Sequence, residues 1–238
     1  MNLEITQIIK RGAAQLGIEL PPGIGGLFET YCDILETRGK SVNLTAISGT
    51  QDIARFHFLD CLAVLKTADF KNARLIDIGS GAGFPGIPLK LAEPSIKLTL
   101  LDATGKRVAF LKDVCSELGI EANCFQGRAE DAAHNPAMRE QFEIVTARAV
   151  AKLSALCELC LPFVRVGGAF LAMKGIDSDE ELMEARNAIA VLGAQQEKSF
   201  DYTIPGTEIS HRVIAIRKTT QTPAQYPRRF AKILKSSL

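Results

Sequence analysis

The sequence predicts an α/β fold built on a seven-stranded, mostly parallel sheet, with a helical extension at its N-terminus. Three observations predict it. Residues up to about 70 carry apolar side chains at helical spacing only. From residue 74 onward, short apolar runs alternate with longer helical stretches, an order typical of a parallel sheet covered on both faces. A glycine-rich stretch separates the first apolar run from the helix that follows it.

The N-terminal extension, residues 1–70, is predicted to be helical. Pro21-Pro22 and Gly25-Gly26 interrupt the pattern and separate its first two helices. Thr50, followed by Asp52, has the composition of a further helix start. The apolar positions that define these helices are Leu3, Ile8, Ile9 and Leu16, then Leu27, Tyr31, Ile34 and Leu35, then Ile53, Phe56, Leu59, Leu62, Val64 and Leu65.

The sheet is predicted within residues 71–220, which form the main domain. The last two strands have no helix between them, so we expect a hairpin with Pro205-Gly206 in the turn. The predicted strands are 74–78, 97–102, 122–126, 142–147, 168–173, 198–204 and 211–217, and the predicted helices are 85–91, 106–118, 152–164 and 178–192.

Composition limits the class of protein. Hydrophobic residues make up 47% of the 238 and charged residues 23%, as in ordinary globular proteins. The N-terminus lacks the pattern of a secretory signal, and no segment approaches the roughly 20 apolar residues of a membrane span. The six cysteines include Cys157-x-x-Cys160, which lies in an apolar helical run without a second pair. We therefore expect a cytoplasmic monomer with reduced thiols, no metal site and no membrane contact.

Charge is distributed unevenly along the chain. The formal net charge is +1, but Ile209 to Leu238 contain seven basic residues and no acidic one. That leaves 21 basic and 27 acidic residues, a formal charge of −6, in the first 208. A basic end indicates a polyanionic partner or a solvated tail. The last part of this stretch, residues 221–238, is predicted to form a basic C-terminal tail that is separate from the main domain.

The glycine-rich stretch, LIDIGSGAGFPGIPLK from Leu75 to Lys90, marks the expected ligand site. In open α/β sheets, ligands bind beyond the carboxyl ends of the strands, and the loop after the first strand usually forms the floor of the site. Glycine is needed where φ is positive or where a ligand lies against the main chain. Four glycines between Gly79 and Gly86 therefore predict a ligand-binding loop.

Two ligands compete for this loop. Gly81 to Gly86 is a literal G-x-G-x-x-G, which in dehydrogenases brings a helix N-terminus to a pyrophosphate. Asp77, two residues before the first glycine, instead places a carboxylate where it would meet a ligand's cation. Asp102, at the end of the second strand, is a candidate for ribose hydroxyls in either case. S-adenosylmethionine carries an amino group, a sulfonium and a ribose but no phosphate, so the acidic residues favour it; an NAD(P)-dependent oxidoreductase is the alternative.

Further blocks occur in order between about Val42 and Arg229. They are NLTAI (43–47), HFLDCL (57–62), GRAED (127–131), FEIVTARAVA (142–151) and QYPRR (225–229). Together with the glycine loop they resemble the RsmG/GidB family of bacterial 16S ribosomal RNA methyltransferases, which modify guanine at N7. The resemblance implies a class I S-adenosylmethionine-dependent methyltransferase fold, which is Rossmann-like, and rRNA of the small ribosomal subunit or its assembly intermediate as substrate. Family members often end in a Pro/Gly/Lys-rich segment, whereas this chain continues FAKILK from Phe230.

The resemblance also implies site residues. Gly79, Phe84, Ala129, Glu130 and Arg148 match the family's donor-site positions, and Glu130 is placed to accept the adenine amino group. The residue patterns add Asp77, Gly81 and Asp102 to this donor site.

The expected reaction needs no catalytic base. Guanine N7 has an in-plane lone pair and no proton, so alignment of the reacting atoms and exclusion of water suffice. The three histidines, His57, His134 and His211, fall in separate segments without triad spacing. A non-catalytic RNA-binding protein with the same fold remains a further hypothesis.

Several residues are candidates for substrate contacts. Lys106, Arg107, Arg148 and Lys174 are expected to contact RNA phosphates, and Arg148 is a candidate for the donor carboxylate as well. The N-terminal extension either presents Asn43 and Thr45 to the substrate or covers the sheet edge.

Overall fold

The computed structural model describes residues 3–39, 47, 49–148 and 151–238. Asn43 and Thr45, expected near the substrate, lie outside the described residues, as do Ala149 and Val150 of the FEIVTARAVA block.

One mixed sheet forms the centre of the structure. Its strands are β1 Arg74–Ile78, β2 Lys97–Asp102, β3 Ala122–Gln126, β4 Phe142–Arg148, β5 Val164–Gly175, β6 Ala194–Gln196, β7 Phe200–Thr203 and β8 Ser210–Lys218. Their order is β3-β2-β1-β4-β5-β8-β6, with β7 also paired to β8. Strands β1 to β5 pair in parallel, and β8 runs antiparallel to β5, β6 and β7. The fold class and the β7–β8 hairpin predicted from the sequence are confirmed.

The described sheet has eight strands rather than the predicted seven. The additional strand, β6, pairs with one end of β8 while β7 pairs with the other, so both lie along the same edge of β8. A strand of three residues directly after a helix is too short to show an alternating pattern, which is why the sequence does not predict it.

Helices flank the sheet on both sides. Two predicted helices are shorter than expected: the one at 178–192 is divided at Ala185, and the one at 152–164 ends in a 3-10 turn, Leu161–Phe163. Residues 50–66 form a continuous helical segment that includes a π-helical stretch, Ile53–Leu59. The other helices are Leu3–Gln15, Ile24–Thr37, Gly86–Ala92, Gly105–Glu117, Ala129–Ala132, Leu153–Cys160, Asp179–Glu184, Arg186–Val191 and Phe230–Lys235. None of the helices in the described ranges combines the length and apolar character required to cross a membrane.

Two apolar clusters sandwich the sheet. The N-terminal extension shares one cluster with the helices Gly86–Ala92 and Gly105–Glu117, and its Phe28, Tyr31 and Phe58 are fully buried there. The other cluster lies beneath the helices from Leu153–Cys160 onward and includes Ile233 of the C-terminal segment. The extension therefore packs on a face of the sheet.

The C-terminal tail packs against the domain and is not a solvated tail. The Arg139 guanidinium donates to the main-chain oxygens of Thr222 and Tyr226, each at 2.8 Å. Arg228 forms an ion pair with buried Glu158. These contacts hold the tail against Arg139, which precedes β4, and against the helix Leu153–Cys160, which contains Glu158.

Most of the positive charge of the C-terminal stretch is neutralised within the protein. Four of its seven basic residues form ion pairs with carboxylates: Arg212 with Asp179 and Asp201, Arg217 with Glu197, Lys218 with Glu140, and Arg228 with Glu158. Arg229, Lys232 and Lys235 are exposed, and within the described part of the chain they form no salt bridge.

Candidate active site

The glycine-rich loop leaves the carboxyl end of β1 at the centre of the sheet, where the strand order reverses between β1 and β4. Gly79, Gly81 and Gly83 all have positive φ, at 70°, 57° and 105°. A Cβ at Gly81 would have only Gly79 O within 4 Å, at 3.9 Å, so the space in front of this residue is open. The loop therefore exposes main chain without a neighbouring side chain at Gly81, and its role as a ligand-binding loop stays a prediction.

Asp77 does not face a ligand's cation, contrary to the sequence-based expectation. Its side chain is 0% exposed, because β1 is covered on both faces. Oδ1 accepts a hydrogen bond from Thr146 Oγ1 at 2.9 Å, and Oδ2 accepts one from Gly86 N at 3.2 Å. Asp77 therefore holds the glycine loop and the start of the next helix against β4.

Burial raises the pKa of Asp77 to about 6 from its ordinary 3.8, although the hydrogen bonds from Thr146 and Gly86 and the charge of Arg148 oppose the shift. The folded state therefore binds the proton of the Asp77 carboxyl more tightly than the unfolded state does. The contribution of this proton to the free energy of unfolding is fully present below pH 3.8 and is lost as the pH rises through about 6. Relative to the wild type, we expect the unfolding free energy of Asp77→Asn to rise by up to about 3 kcal/mol between pH 4 and 7. Urea unfolding at several pH values measures this difference.

Asp201→Asn serves as the control for this pH dependence. A hydrogen bond from Arg212 lowers the pKa of the surface carboxyl of Asp201, so its stabilising contribution is present above the ordinary value and is lost as the pH falls. The two variants should deviate from the wild type with opposite pH trends. A difference between Asp77→Asn and wild type that stays constant with pH would contradict the burial argument.

Asp102 organises the far side of the loop from the end of β2. Its Oδ2 accepts a hydrogen bond from Gly81 N at 3.0 Å, and its Oδ1 accepts one from Thr104 N at 2.8 Å. Arg107 Nη1 lies 3.6 Å from Oδ2. Since a carboxylate offers about four acceptor positions and two main-chain hydrogen bonds use two of them, Asp102 retains acceptor capacity beside the Arg107 guanidinium.

A cavity of about 210 Å³ lies between the carboxyl ends of β1, β2 and β3. It brings together four predicted donor-site residues: Gly79, Asp102, Ala129 and Glu130. The rest of the lining consists of Ile78, Leu101, Ala103, Gly127, Arg128, Leu159 and Phe230. The volume is below the roughly 300 to 1,000 Å³ of pockets that enclose a whole drug-sized ligand, so this cavity suits one end of a donor molecule.

A larger groove, of about 870 Å³, lies at the opposite ends of β2 and β3 and includes Lys97 and Ala122. Because ligands of open α/β sheets bind at the carboxyl ends of the strands, the smaller cavity is the candidate site.

Phe84 and Arg148 lie together beside the loop. The guanidinium carbon of Arg148 is 4.7 Å from the centre of the Phe84 ring, and the His57 ring stacks on Phe84 with centroids 4.5 Å apart. Phe84 is only 5% exposed, so its ring packs the loop. Burial, aided by the charge of Arg148, lowers the pKa of His57 to about 3, so its neutral Nδ1 accepts from Arg148 Nη2 at 3.2 Å.

Asp60 fixes Arg148 from behind, a role that the sequence did not predict. Its carboxylate is 3% exposed and lies 3.5 Å from Arg148 Nη1 and 2.7 Å from His211 Nδ1. Tyr202 Oη donates to Asp60 Oδ1 at 2.7 Å. The hydrogen bond that His211 donates to Asp60 raises the pKa of His211. Residues from three distant segments meet here, one of them the β7–β8 hairpin, and the HFLDCL block is the only sequence signal that includes Asp60.

The predicted phosphate contacts differ in their accessibility. Lys106 is exposed at the start of the helix Gly105–Glu117, on the cavity side. Arg107 is 40% exposed beside Asp102. Lys174 is only 10% exposed, and its ammonium already donates to Glu181 Oε2 at 2.6 Å and to Ala151 O at 2.8 Å. Lys174 is therefore a weaker candidate than Lys106.

This sheet, with its glycine loop and cavity at the carboxyl ends of β1 and β2, is that of the class I methyltransferases. Solved structures share the fold. TYW2 of M. jannaschii in complex with AdoMet superposes with a TM-score of 0.52 at 10% identity, covering 64% of this chain and 71% of that one. YcgJ of Bacillus subtilis gives 0.51 at 18% identity, covering 69% of this chain and all of that one.

The chain belongs to the GidB family, rRNA small subunit methyltransferase G, whose family model matches residues 26–205. It is 44% identical over 229 residues to the ribosomal RNA small subunit methyltransferase G of Alkaliphilus metalliredigens, covering 95% of this chain and 96% of that protein. It is 40% identical over 238 residues to the protein of the same name from Acetivibrio thermocellus, covering 100% and 98%. The predicted family and methyltransferase class are confirmed, and the oxidoreductase alternative has no support.

Proposed function

We propose that this protein transfers a methyl group from S-adenosylmethionine to N7 of a guanine in 16S rRNA. Membership of the rRNA small subunit methyltransferase G family carries the proposal. The cavity chemistry supports it, because Asp102 and Glu130 in the lining suit hydroxyl and amino groups rather than phosphates.

The donor would lie with its nucleoside in the cavity and its methionine end along the glycine loop. Asp102 would accept from the ribose hydroxyls through its remaining acceptor positions, and Glu130 from the adenine amino group. The open space in front of Gly81 would take the amino-acid end. Arg148 lies over the ring of Phe84, three residues further along the same loop.

The chain's own residues would position the reactants and exclude water from them. When bound, S-adenosylmethionine supplies a methyl group attached to a positively charged sulfur. The methyl group is transferred as the N–C bond forms and the S–C bond breaks, and the sulfur leaves as a neutral thioether. Guanine N7 carries no proton, so no residue has to remove one. His57 fits this mechanism, because a pKa lowered to about 3 makes its imidazole a weak base and its Nδ1 already accepts a hydrogen bond from Arg148.

RNA would approach over the cavity side of the sheet, with Lys106 and Arg107 as phosphate contacts. The helix Phe230–Lys235 begins with a residue that lines the cavity. Its exposed basic residues are Lys232 and Lys235, and exposed Arg229 immediately precedes it. A guanine in a loop or single strand, splayed out toward the donor, is the substrate that such a cavity serves. We place this reaction in the cytoplasm, carried out by a monomer.

Replacing Lys106 should weaken RNA binding. We expect Lys106→Ala to lower the affinity for 16S rRNA fragments by a factor of roughly 3 to 5, equally for all sequences, because a phosphate contact carries no base information. Lys97→Ala, an exposed lysine at the amino end of β2, is the matched control and should bind as the wild type does. Filter binding measures both, and equal losses for the two variants would argue against this docking surface.

The decisive experiment compares 16S rRNA from cells with and without the gene by mass spectrometry of nucleosides. Loss of N7-methylguanine without the gene, with its restoration by purified protein and labelled S-adenosylmethionine, supports the proposal. Unchanged modification would remove the substrate, and RNA binding without methyl transfer would favour the non-catalytic hypothesis. Titration with S-adenosylhomocysteine and with NADH tests the ligand itself.

A further inference from the structure

The C-terminal segment contributes to the cavity at the carboxyl ends of β1 and β2. Phe230, the first residue of the helix Phe230–Lys235, lines this cavity together with Gly79, Asp102 and Ala129. Phe230 is half-buried and, like Ala129, packs against the second apolar cluster. Among the described residues, Phe230 is the one aromatic member of the cavity lining, so a flat ligand group placed between it and the ends of the strands would meet an aromatic side chain.

Anchors on both sides of Phe230 hold it in this position. Two residues before it, Arg228 donates from its main-chain N and its Nε to Glu158 Oε1, both at 2.8 Å, and from Nη2 to Oε2 at 2.6 Å. Glu158 is 1% exposed and immediately precedes Leu159, another residue of the cavity lining. Three residues after Phe230, Ile233 is fully buried. A two-pronged ion pair and a buried apolar side chain thus fix the ring from both sides.

We propose that Phe230 is a donor-binding residue that forms a wall of the nucleoside site, and that the Glu158–Arg228 ion pair positions it there. This inference rests on the proposed function, since it takes the nucleoside of S-adenosylmethionine as the occupant of the cavity. A purine offers a flat face for stacking, and an aromatic side chain against a base is a common source of sequence-independent affinity in proteins. Phe230 adds this contact to the polar contacts of Asp102 and Glu130.

The test measures binding of S-adenosylhomocysteine and of 5′-methylthioadenosine by calorimetry. We expect Phe230→Ala to weaken both ligands by the same factor, roughly 5- to 100-fold, which is the range for losing one base–aromatic stack. The factor should be equal because Phe230 contacts only the nucleoside that the two ligands share. Phe230→Tyr keeps the ring and should bind within about 3-fold of wild type. Leu234→Ala, which removes an apolar side chain of the same helix that is 61% exposed, is the matched control and should leave both affinities unchanged.

Thermal melting of each variant separates a local effect from a failure to fold. If Phe230→Ala does not fold, Phe230→Leu replaces it, since leucine keeps an apolar side chain but removes the ring. Wild-type affinity of a folded Phe230→Ala or Phe230→Leu for both ligands overturns the inference while leaving the proposed function intact. A wild-type protein that binds neither ligand overturns the proposed function itself. Glu158→Gln tests the positioning role: we expect weaker binding of both ligands, and unchanged binding by this variant would remove that role.

Discussion

Gly81→Val is expected to abolish detectable donor binding while leaving the fold in place. A Cβ placed on Gly81 would point into the open space in front of the loop, which is the proposed position of the amino-acid end of the donor. A branched side chain there would force a clash of about 3 kcal/mol or more, which corresponds to a loss of affinity of at least roughly 100-fold. Calorimetric titration with S-adenosylhomocysteine measures the loss, and circular dichroism checks that the sheet persists.

Gly119→Val provides the control for backbone strain. Gly81 and Gly119 have nearly the same positive φ, 57° and 63°. A Cβ placed on Gly119 would have nothing within 4 Å, and one on Gly81 would have only Gly79 O at 3.9 Å, so both positions are open. A valine in this left-handed region costs about 1 to 3 kcal/mol at either position, so both variants should lose similar stability. Only Gly81→Val should lose the donor. Equal donor binding by the two variants would show that the ligand does not lie against Gly81.

Asp60→Ala should be the most destabilising single substitution around the site. It would leave the guanidinium of Arg148, which is 19% exposed, without its carboxylate, and Tyr202 and His211 would lose a shared acceptor. Removing one partner of a buried ion pair costs about 3 to 5 kcal/mol, because the remaining charge is left uncompensated. Urea unfolding at pH 7 measures this cost. Methyl transfer should fall as well, since Arg148 would no longer be held against Phe84.

A double-mutant cycle with Arg148→Met assigns the effect to this pair. If Asp60 and Arg148 act together, the loss in free energy of unfolding of the double variant should be smaller than the sum of the losses of the two single variants. Strict additivity, or a cost below about 1 kcal/mol for Asp60→Ala, would mean that the ion pair contributes little and that other contacts position Arg148.

The convergence of the residues at the candidate site could be predicted because it depends on the order of the strands and helices alone. Residues that follow consecutive parallel strands meet at one edge of the sheet, so Gly79, Asp102 and Ala129 converge as soon as β1, β2 and β3 are recognised. Each of these strands is a short run of five or six residues between turn residues or helices.

The wrong expectation for Asp77 has a simple geometric cause. Because Asp77 lies next to the glycines in the sequence, its side chain was expected at the ligand. Successive side chains of a strand point to opposite faces of the sheet, and that of Asp77 points toward the helix Gly86–Ala92. The close approach of that helix is visible at Gly86, where a Cβ would come within 2.7 Å of Leu100 Cδ2 and 3.1 Å of Asp77 Cβ.

The contacts of Asp60 and of Phe230 could not be predicted from sequence patterns. Asp60 meets Tyr202 and His211 across more than 140 positions of the chain, through packing of a helix against a hairpin. Phe230 lies at the cavity two residues after Arg228, which pairs with Glu158 70 positions earlier. Periodicity describes local structure and contains no information about such long-range pairs.

The internal pairing of the C-terminal basic residues limits how strongly RNA binding can respond to ionic strength. Each phosphate neutralised on a single strand releases about 0.7 of a counterion, so seven available cations would give a log–log slope near −5. With Arg212, Arg217, Lys218 and Arg228 already paired to carboxylates, three remain, and the contribution of this segment should be near −2. RNA binding by this segment should therefore change less with salt concentration than binding by a segment with all seven cations available.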